Sequence, residues 1–417
     1  MRRRTFLLGA IGAGWVAGQE SGRAGDTLAY GAAGSLWILD LPDGRARQVA
    51  SGAGIASPRI SPSGQWIAYH QGERAQVVAR EGGAPAGLGT GAAQWRFGRD
   101  ELLMEEENGL SVFSAANGWA SPVRWFPDAA LPVVFSPDGG VMVYPRRTPA
   151  ENGLLCRVDA GAALPAKTIL ARAGDGLIPY AWLGGATGDA LWYWVDPDFS
   201  GSAESDGLEL FRIPASGGTP RSLGLTTLVH DDFLALSPAG DRLAVTVGGD
   251  RRSWHNKRIA LIDLASGAVH DLTSDDTVGI CPAWSPDGTR VAFTALPQDA
   301  SELWGGEPAR QFLAKRRIWV ANATGSSPPA RLTGDDRYRD EQPAFLADGR
   351  HILFCRIANG PHDSNAQSIW QMDDHGGGMT QIAGPLQANQ TFEGESWFGY
   401  YGTIDWGASM DLHRSLA

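Results

Sequence analysis

A short unit that recurs along the chain constrains the fold more than any other feature of the sequence. In the segment 281–293, CPAWSPDGTRVAF, two apolar runs flank a Ser-Pro-Asp-Gly turn. Proline fixes φ at the second turn position and glycine adopts the positive φ that closes the turn, so the unit predicts a β-hairpin. Clear copies read RISPSGQWIAY from Arg59, VFSPDGGVMVY from Val134, ALSPAGDRLAV from Ala235 and AFLADGRHILF from Ala344. Degenerate copies start at Trp95 and Ala181.

A second hairpin follows each copy, as in RIALIDLASGAVHDLT from Arg258. Each unit therefore holds four strands, a to d. The first unit lacks strand a, and TIDWGAS from Thr403 has the pattern to supply it. We predict an all-β chain forming a single β-propeller of eight four-stranded blades, with a ring closed by the C-terminal strand. Seven blades are the alternative, because two copies are degenerate.

Composition agrees with this fold and narrows the partners. The chain has 55 glycines for turns and 16 tryptophans for packing surfaces, and 43% of its residues are hydrophobic. Its net charge of −11 would repel a phosphate backbone, which disfavours nucleic acid as a partner. The three cysteines lie in apolar strand-like contexts, so we expect buried free thiols. We expect a monomer.

The N-terminus, MRRRTFLLGAIGAGWVAG, reads as an export signal. Arg3-Arg4-Thr5-Phe6-Leu7 resembles the twin-arginine pattern, and the following apolar run is too short to span a bilayer. We therefore divide the chain into a leader, 1–25, and a propeller, 26–417, without a transmembrane domain in the mature chain. The predicted location is periplasmic or extracellular, with a membrane tether if the leader stays attached.

The repeated WSPDG-hairpin-GG pattern resembles the TolB-like (WD40-like) propeller repeat, which also builds the N-terminal propellers of prolyl oligopeptidases and dipeptidyl peptidases. The resemblance spans the mature chain and implies the fold rather than a function. Two departures matter for function. No room exists for a TolB N-terminal domain ahead of the first strand, and the G-x-S-x-G motif of the peptidase domain is absent.

The two faces of such a propeller would differ. Turns a–b and c–d are short, whereas the b–c loops are long and varied, so we expect binding on the loop face. When the repeated turns are aligned, the acidic pairs Asp231-Asp232 and Asp340-Glu341 occupy equivalent positions at the inner rim of this face. The predicted ligand-binding residues at the channel mouth are His230, Asp231, Asp232, Arg337, Arg339, Asp340, Glu341 and Tyr401.

Clustered carboxylates attract a hard cation, so Ca²⁺ or another divalent metal is the cofactor to which Asp231, Asp232, Asp340 and Glu341 point. The alternative is a solvated rim in which arginines pair with these acids. Asp196 and Asp198 match the start of a calcium loop, but the expected glutamate at its end is missing, and an ordinary acidic loop is the alternative.

Four further loop residues are candidates for contact with a ligand. Trp254 and Trp304 lie in b–c loops, where exposed indoles would contact carbohydrate or peptide. His255 and His362 fall on the same face, and together with His230 they could ligate a transition metal. The alternative is scattered surface histidines.

These observations predict a non-catalytic binding or scaffolding module whose partner is a protein or a cell-envelope saccharide. The alternative is a metal-dependent hydrolase or lyase that acts on an oligosaccharide or peptide at the channel mouth.

Overall fold

The chain is built almost wholly from antiparallel β-strands that pair with their neighbours in sequence. The computed structural model describes residues 25–42, 44–147, 153–159, 166–183, 189–298, 311–359, 367–386 and 405–414. The leader predicted at 1–25 therefore lies, except for its last residue, outside the described residues. The all-β prediction is confirmed.

The first half contains strands β1 to β15. Their bounds are β1 Thr27–Ala32, β2 Ser35–Asp40, β3 Arg47–Ser51, β4 Ile55–Ile60, β5 Trp66–Gln71, β6 Arg74–Ala79, β7 Ala86–Thr90, β8 Ala93–Trp95, β9 Glu101–Glu106, β10 Gly109–Ser114, β11 Arg124–Pro127, β12 Val134–Phe135, β13 Val141–Arg146, β14 Leu154–Asp159 and β15 Lys167–Ala171.

The second half contains strands β16 to β32. Their bounds are β16 Gly176–Leu183, β17 Ala190–Asp196, β18 Leu208–Pro214, β19 Arg221–Thr227, β20 Leu234–Leu236, β21 Arg242–Val247, β22 Arg258–Asp263, β23 Val269–Asp271, β24 Thr277–Trp284, β25 Arg290–Pro297, β26 Arg317–Asn322, β27 Ala330–Arg331, β28 Tyr338–Phe345, β29 His351–Ala358, β30 Ser368–Asp373, β31 Thr380–Ala383 and β32 Met410–His413. The described residues also include the short helix α1 Gly201–Asp206 and the 3-10 turns Ala115–Asn117, Pro197–Phe199, Asp231–Phe233 and Trp406–Ala408.

Pairing groups most of these strands into four-stranded antiparallel sheets; five of these sheets consist of consecutive strands, and the sheet of β1–β3 takes β32 as its fourth strand. In β4–β7, β8–β11, β12–β15, β24–β27 and β28–β31 each strand pairs with the next. Strands β16–β19 and β20–β23 form one larger sheet, in which the residue pair Thr227 and Val247 joins the two halves. Many four-stranded sheets in sequence are typical of a propeller.

The Ser-Pro-Asp-Gly motif forms the turn that its residues predict. In the 285–290 turn the amide of Gly288 donates to the carbonyl of Ser285 at 2.9 Å, with Gly288 at φ 68°. The buried Ser285 hydroxyl donates to Asp287 Oδ1 at 2.6 Å and accepts from the amide of Arg290 at 3.0 Å. The motif therefore fixes the register of the hairpin that it opens.

Aromatic residues at the end of strand a connect neighbouring sheets. The indole of Trp284 donates to the carbonyl of Ala235 in the preceding sheet at 2.9 Å. The Arg242 guanidinium lies 4.8 Å from the centre of the Trp284 ring and donates to the carbonyl of Gly288 at 2.9 Å. Trp95 likewise donates to the carbonyl of Arg59 at 2.9 Å. These two repeated tryptophans thus pack between sheets.

The C-terminal strand differs from the one predicted. Strand β32 pairs with β1, with Met410 opposite Tyr30 and His413 opposite Thr27. The strand predicted from Thr403 is wrong, because the described part of that segment forms the Trp406–Ala408 turn instead. The Asp405 side chain accepts from the amide of Ala408 at 3.1 Å and caps this turn, which ends any extended conformation there.

Five connections are long at the end of the sheets where the second strand leads to the third, and residues 148–152, 299–310 and 360–366 within them lie outside the described residues. They join the second to the third strand of five successive four-stranded units and span 147–153, 197–207, 248–257, 298–316 and 359–367. The hairpin turns at the opposite end are short, as at 61–65 and 285–289. We call the first end the loop face and the second the turn face. Within the described ranges, no helix is long and apolar enough to cross a bilayer.

Candidate functional site

Bulges at matching positions shape the first strands of four units. The ladder shifts register in β4, β16, β24 and β28. Three of the bulges contain a non-glycine residue in the left-handed region: Ser57 at φ 52°, Cys281 at φ 55° and Gln342 at φ 55°. In β16 the extra residue is Tyr180. A bulge turns a side chain away from the pleat, and bulges are frequent beside functional sites.

Charged and polar side chains from separate sheets meet beside these bulges. The Gln342 amide donates to Asp232 and lies 3.7 Å from Cys281 Sγ. The electrostatic fields of Arg59 and Asp405 also reach Asp231 and Asp232. We call this set, His230, Asp231, Asp232, Asp405, Arg59 and Gln342, the inner cluster.

His230 is the cation at the centre of the inner cluster. Its Nδ1 lies 3.2 Å from Asp232 Oδ2, and the two side chains are 23% and 25% exposed. Burial alone would lower its pKa, but the carboxylates of Asp232, Asp405 and Asp231 raise the pKa of His230 to about 9. The imidazolium therefore donates to Asp232 at neutral pH. Burial opposes the ionised form of Asp232 as well, yet His230 holds the pKa of Asp232 below its usual range.

Among the three acids of the inner cluster, Asp231 and Asp405 are the two whose ionised forms are disfavoured. Burial, opposed in part by His230, raises the pKa of Asp231 to about 6. Burial also raises the pKa of Asp405. Within the described ranges, no hydrogen bond reaches the carboxyl of Asp231. Neighbouring acids with opposite shifts thus lie side by side, as in Asp231 and Asp232.

Glu341 is a buried carboxylate next to the inner cluster. Arg316 Nη1 donates to Glu341 Oε1 at 2.6 Å, and both side chains are almost fully buried. Arg339 lies 3.4 Å from the same oxygen, and the Trp406 indole donates to Oε2 at 3.2 Å. Burial alone would raise the pKa of Glu341, but Arg339 and Arg316 hold it below its usual range. This carboxylate is therefore held by two arginines and an indole.

The neighbouring acids Asp340 and Glu341 form ion pairs with different arginines. Asp340 is fully buried and accepts two hydrogen bonds from Arg356, at 2.6 and 3.0 Å. The Arg356 guanidinium in turn stacks on Trp370 at 4.6 Å and Tyr338 at 4.7 Å. Successive strand residues point to opposite faces, which separates Asp340 from Glu341. Of the arginine-paired, solvated rim given as the alternative for these acids, the pairing with arginines is present, but both acids are buried instead of solvated.

The loops around the inner cluster are tied to one another. Lys257 is buried and donates to the carbonyls of Gly249, Asp250 and His255 at 2.8, 2.7 and 3.2 Å. Burial lowers the pKa of Lys257 to about 8. Arg251 bridges to Asp206 of the neighbouring loop with two bonds of 2.5 and 2.7 Å.

Further hydrogen bonds connect neighbouring loops of the loop face. Arg316 donates to the Ser253 hydroxyl at 2.7 Å, which connects the 248–257 loop to the 298–316 loop. Asn359 donates to the carbonyls of Ala314 and Asp336 at 3.1 and 2.9 Å. These hydrogen bonds connect the described parts of neighbouring loops to one another.

The loop residues predicted to contact a ligand differ in their exposure to solvent. Trp254 is buried and packs with Val278, Leu296 and Leu313, so the exposed indole expected there is wrong. His255 is partly exposed, and its Nδ1 lies 3.1 Å from Gln298 Nε2. Trp304, His362 and Tyr401 lie outside the described residues.

The remaining predicted positions lie apart from the inner cluster. Arg337 is 79% exposed and pairs with Asp335. Asp196 is buried whereas Asp198 is exposed, so these two acids do not face one space. Among the described residues, no three His, Cys, Asp or Glu side chains are arranged to hold a metal ion. The cysteines are free and buried, as predicted.

Reasoning from the sequence missed Arg59, Tyr180, Gln342 and Asp405. A signal for one of them, Gln342, is present in the sequence. Proline is the second residue in each of three segments, SPRIS (57–61), CPAWS (281–285) and QPAFL (342–346). The residue that precedes this proline is the one that adopts the left-handed conformation in the bulge. Asp405 carries no such signal, because its position depends on where β32 pairs.

Comparisons with known proteins agree on the fold and do not reach a function. No protein-family model matches the chain. It is 30% identical over 141 residues to Tricorn protease homolog 1 of Streptomyces coelicolor, a match covering 34% of this chain and only 11% of that protein. The chain thus spans a small part of that relative's length.

Solved structures give the same picture. The crystal structure of a eukaryotic initiation factor matches with a TM-score of 0.52 at 11% identity, over 86% of this chain and 96% of that one. The structure of a putative TolB from Agrobacterium tumefaciens matches with a TM-score of 0.38 at 16% identity, over 87% of this chain and 90% of that one. The predicted resemblance to TolB-like proteins is confirmed, as a resemblance of fold alone.

Proposed function

We propose that the chain is an exported propeller of eight blades that binds a ligand or partner on its loop face, around the inner cluster, without catalysis. The observation that carries the proposal is the meeting of side chains from several sheets at one place. Arg59 comes from β4, His230 to Asp232 precede β20, Gln342 comes from β28, and Asp405 precedes β32. In a ring of blades the first strands surround the axis, so such residues would line a central channel.

Contacts of the terminal strands support a closed ring. The amide of Ile60 donates to Asp411 Oδ2 at 2.7 Å, which connects β4 to β32. The amide of Ala347 donates to Asp26 Oδ2 at 2.6 Å, which connects the last four-stranded unit to the first. If the sheet of β16–β23 counts as two blades, divided at Thr227, the ring has eight blades.

A binding role follows from the construction of the loop face. The described parts of three long loops, 197–207, 248–257 and 298–316, are held by lateral hydrogen bonds and by the buried Lys257. A rigid surface loses little conformational entropy when it binds, which favours recognition. The twin-arginine leader places this surface in the periplasm or outside the cell, where the partner would be a protein or an envelope saccharide.

A metal-dependent hydrolase or lyase is the second candidate. The observation that favours catalysis is the adjacent pair Asp231 and Asp232, whose pKa values shift in opposite directions, as in acid–base pairs. Elemental analysis of protein purified without chelator, followed by turnover assays on oligosaccharides and peptides, tests this candidate. Stoichiometric metal together with turnover would replace the binding role.

Site-specific crosslinking in living cells tests the binding role. A photo-crosslinking amino acid replaces Arg337 on the loop face, or Glu81 on the turn face, where the side chains are 79% and 72% exposed. The proposal predicts a discrete crosslinked product from position 337 and none from position 81. Equal products from both positions, or none from either, would contradict binding through the loop face.

A further inference from the structure

An exposed indole, that of Trp125, lies on an edge strand away from the inner cluster. The side chains of Val123 and Trp125 are 52% and 42% exposed, and they are among the few large apolar side chains of the described residues that face solvent. Strand β11 stands at one end of the sheet order β11-β10-β9-β8, so it is an edge strand. Pro127, two residues after the tryptophan, is exposed as well. Together these residues form a small apolar surface at the edge of this sheet.

A glycine in the neighbouring strand lets the indole lie across the sheet. In the ladder between β10 and β11, Gly109 is opposite Pro127 and Ser111 is opposite Trp125. A β-carbon at position 109 would lie 2.9 Å from Cζ2 of Trp125 and 2.3 Å from the carbonyl oxygen of Phe126. The indole therefore occupies the space that a side chain at position 109 would fill. One side of the ring rests on the backbone of β10, and the other side is open to solvent.

A carboxylate lies beside the indole on the same face of the sheet. Glu106 is opposite Gly109, and Ser111 is opposite Trp125. Residues that face each other across an antiparallel ladder point to the same side, as do residues two apart on one strand, so the carboxylate and the indole share a face. The hydroxyl of Ser111, which is buried, donates to Oε1 of Glu106 and positions it. A carboxylate has about four acceptor sites, so Glu106 can accept further hydrogen bonds from a ligand.

We propose that Trp125 and Glu106 bind a neutral pyranose unit of a saccharide, at a site separate from the inner cluster. One face of a pyranose ring consists of C–H groups and packs flat on an indole, while the ring hydroxyls at its margin donate to a carboxylate. Strand β11 lies three strands from β8, the first strand of its unit, a distance of about 14 Å at the usual strand spacing. The site thus goes beyond the binding role proposed for the inner cluster and does not depend on it.

The area of the apolar surface favours a single sugar ring over a protein partner. The exposed 42% of Trp125 corresponds to roughly 100 Å². Even with Val123 and Pro127 added, the surface stays far below the about 800 Å² that each partner buries in a stable protein complex. Pro127 also has no N–H to donate, which disfavours the addition of a partner strand along this edge. One flat ring matches the area that is available.

Charge favours a neutral sugar over an acidic one. Glu106 ends β9, Glu107 follows it, and both side chains are exposed. Their carboxylates repel a uronic acid or a phosphorylated sugar. A small cation would be attracted instead, but cations are typically recognised by several aromatic rings arranged as a cage, whereas a single open indole leaves most of a cation in water. A cation is therefore the competing occupant that the experiment has to exclude.

Saturation-transfer NMR of the full mature chain tests the inference, because it detects weak binding and shows which ligand protons contact the protein. The neutral probes are cellotetraose, maltotetraose and tetra-N-acetylchitotetraose. The charged probes are tetragalacturonate, for an acidic saccharide, and tetramethylammonium, for a cation. We expect transfer to the ring C–H protons of at least one neutral probe at millimolar concentration, and binding of both charged probes that is at least about tenfold weaker.

Variants assign the binding to these two residues. Trp125→Ala should lower the affinity at least about tenfold, and Glu106→Gln should lower it about threefold, because a charged acceptor is lost. Glu209→Gln is the matched control: Oε1 of Glu209 also accepts from a serine, Ser222, on an exposed surface, but Phe211 is the residue opposite that serine. It should leave the affinity unchanged. If thermal unfolding shows that Trp125→Ala is not folded, Glu106→Gln decides.

Binding of tetramethylammonium or tetragalacturonate as tight as that of the best neutral probe would overturn the inference. So would an affinity that ignores both substitutions, or absence of transfer to all three neutral probes at millimolar concentration. A loop-face crosslink without saccharide binding would refute the saccharide site alone. Saccharide binding that depends on Trp125, without a crosslink from position 337, would refute the loop-face role alone.

Discussion

The indole Nε1 of Trp406 donates a hydrogen bond of 3.2 Å to Oε2 of Glu341. This bond connects the segment before β32 to β28, and Arg316 holds the other oxygen of the same carboxylate. Glu341 therefore secures the C-terminal segment and helps to hold Asp405 in the inner cluster. Three parts of the chain that are distant in sequence depend on one buried carboxylate.

Replacing Glu341 should destabilise the fold strongly. Glu341→Leu leaves the Arg316 guanidinium buried without its carboxylate, which should cost about 3–5 kcal/mol of unfolding free energy. Urea denaturation followed by tryptophan fluorescence measures the change. The double variant Glu341→Leu with Arg316→Met removes both charges and should be less destabilised than the single one.

Arg337→Met supplies the control for this experiment, because its pair with Asp335 is exposed and should leave the denaturation midpoint unchanged. A Glu341→Leu protein with the same midpoint as Arg337→Met would refute the structural role of the buried carboxylate.

His230 should make stability depend on pH in the neutral to alkaline range. Its pKa rises from 6.5 in the unfolded chain to about 9 in the folded one, so the folded state binds the proton more tightly. The stabilisation is complete below about pH 6.5 and disappears as the pH approaches about 9. Denaturation at several pH values should show the parent losing stability across this window relative to His230→Asn.

Asp232→Asn checks the cause of that dependence. Without the Asp232 carboxylate, the pKa of His230 falls, so the loss of stability should be smaller and should end at lower pH than in the parent. Parallel stability curves for the parent and His230→Asn would mean that the imidazolium is not stabilised by the inner cluster.

Lys257 should control the order of one loop rather than the whole fold. Lys257→Met removes the donor to three backbone carbonyls, and burying those carbonyls without partners should cost about 1–3 kcal/mol. Hydrogen exchange should accelerate in 248–257 while β21 and β22 keep their protection. Lys315→Met, an exposed lysine of the same face, should change neither. Unchanged hydrogen exchange in residues 248–257 of the Lys257→Met protein would contradict the role of Lys257 in ordering this loop.

The repeated turn was enough to predict the sheets, because each hairpin is local and its Ser, Pro and Gly residues determine their own geometry. The position of β32 was not predictable in the same way. TIDWGAS has the pattern of a first strand, but the Asp405 side chain caps a 3-10 turn there instead. Pairing between β32 and β1 depends on residues far apart in sequence rather than on neighbouring residues.

The site was predicted in part for a related reason. The turn alignment identified His230, Asp231 and Asp232, which do lie together. It also grouped Asp340 with Glu341, although alternate strand residues face opposite sides. The bulges that direct Tyr180 and Gln342 depend on the backbone geometry of single strands, and the proline signal in the sequence identifies only Gln342.

Removal of the C-terminal strand tests the account most directly, because the inner cluster exists only if β32 completes the first sheet. The measurement is the thermal unfolding of a chain ending before Asp405, compared with a control lacking only the last three residues. The account predicts one cooperative transition for the intact chain and the control, and a broad transition at lower temperature for the longer deletion. If the longer deletion unfolds like the intact chain, the pairing of β32 with β1 does not hold the molecule together, and the site built on it is refuted.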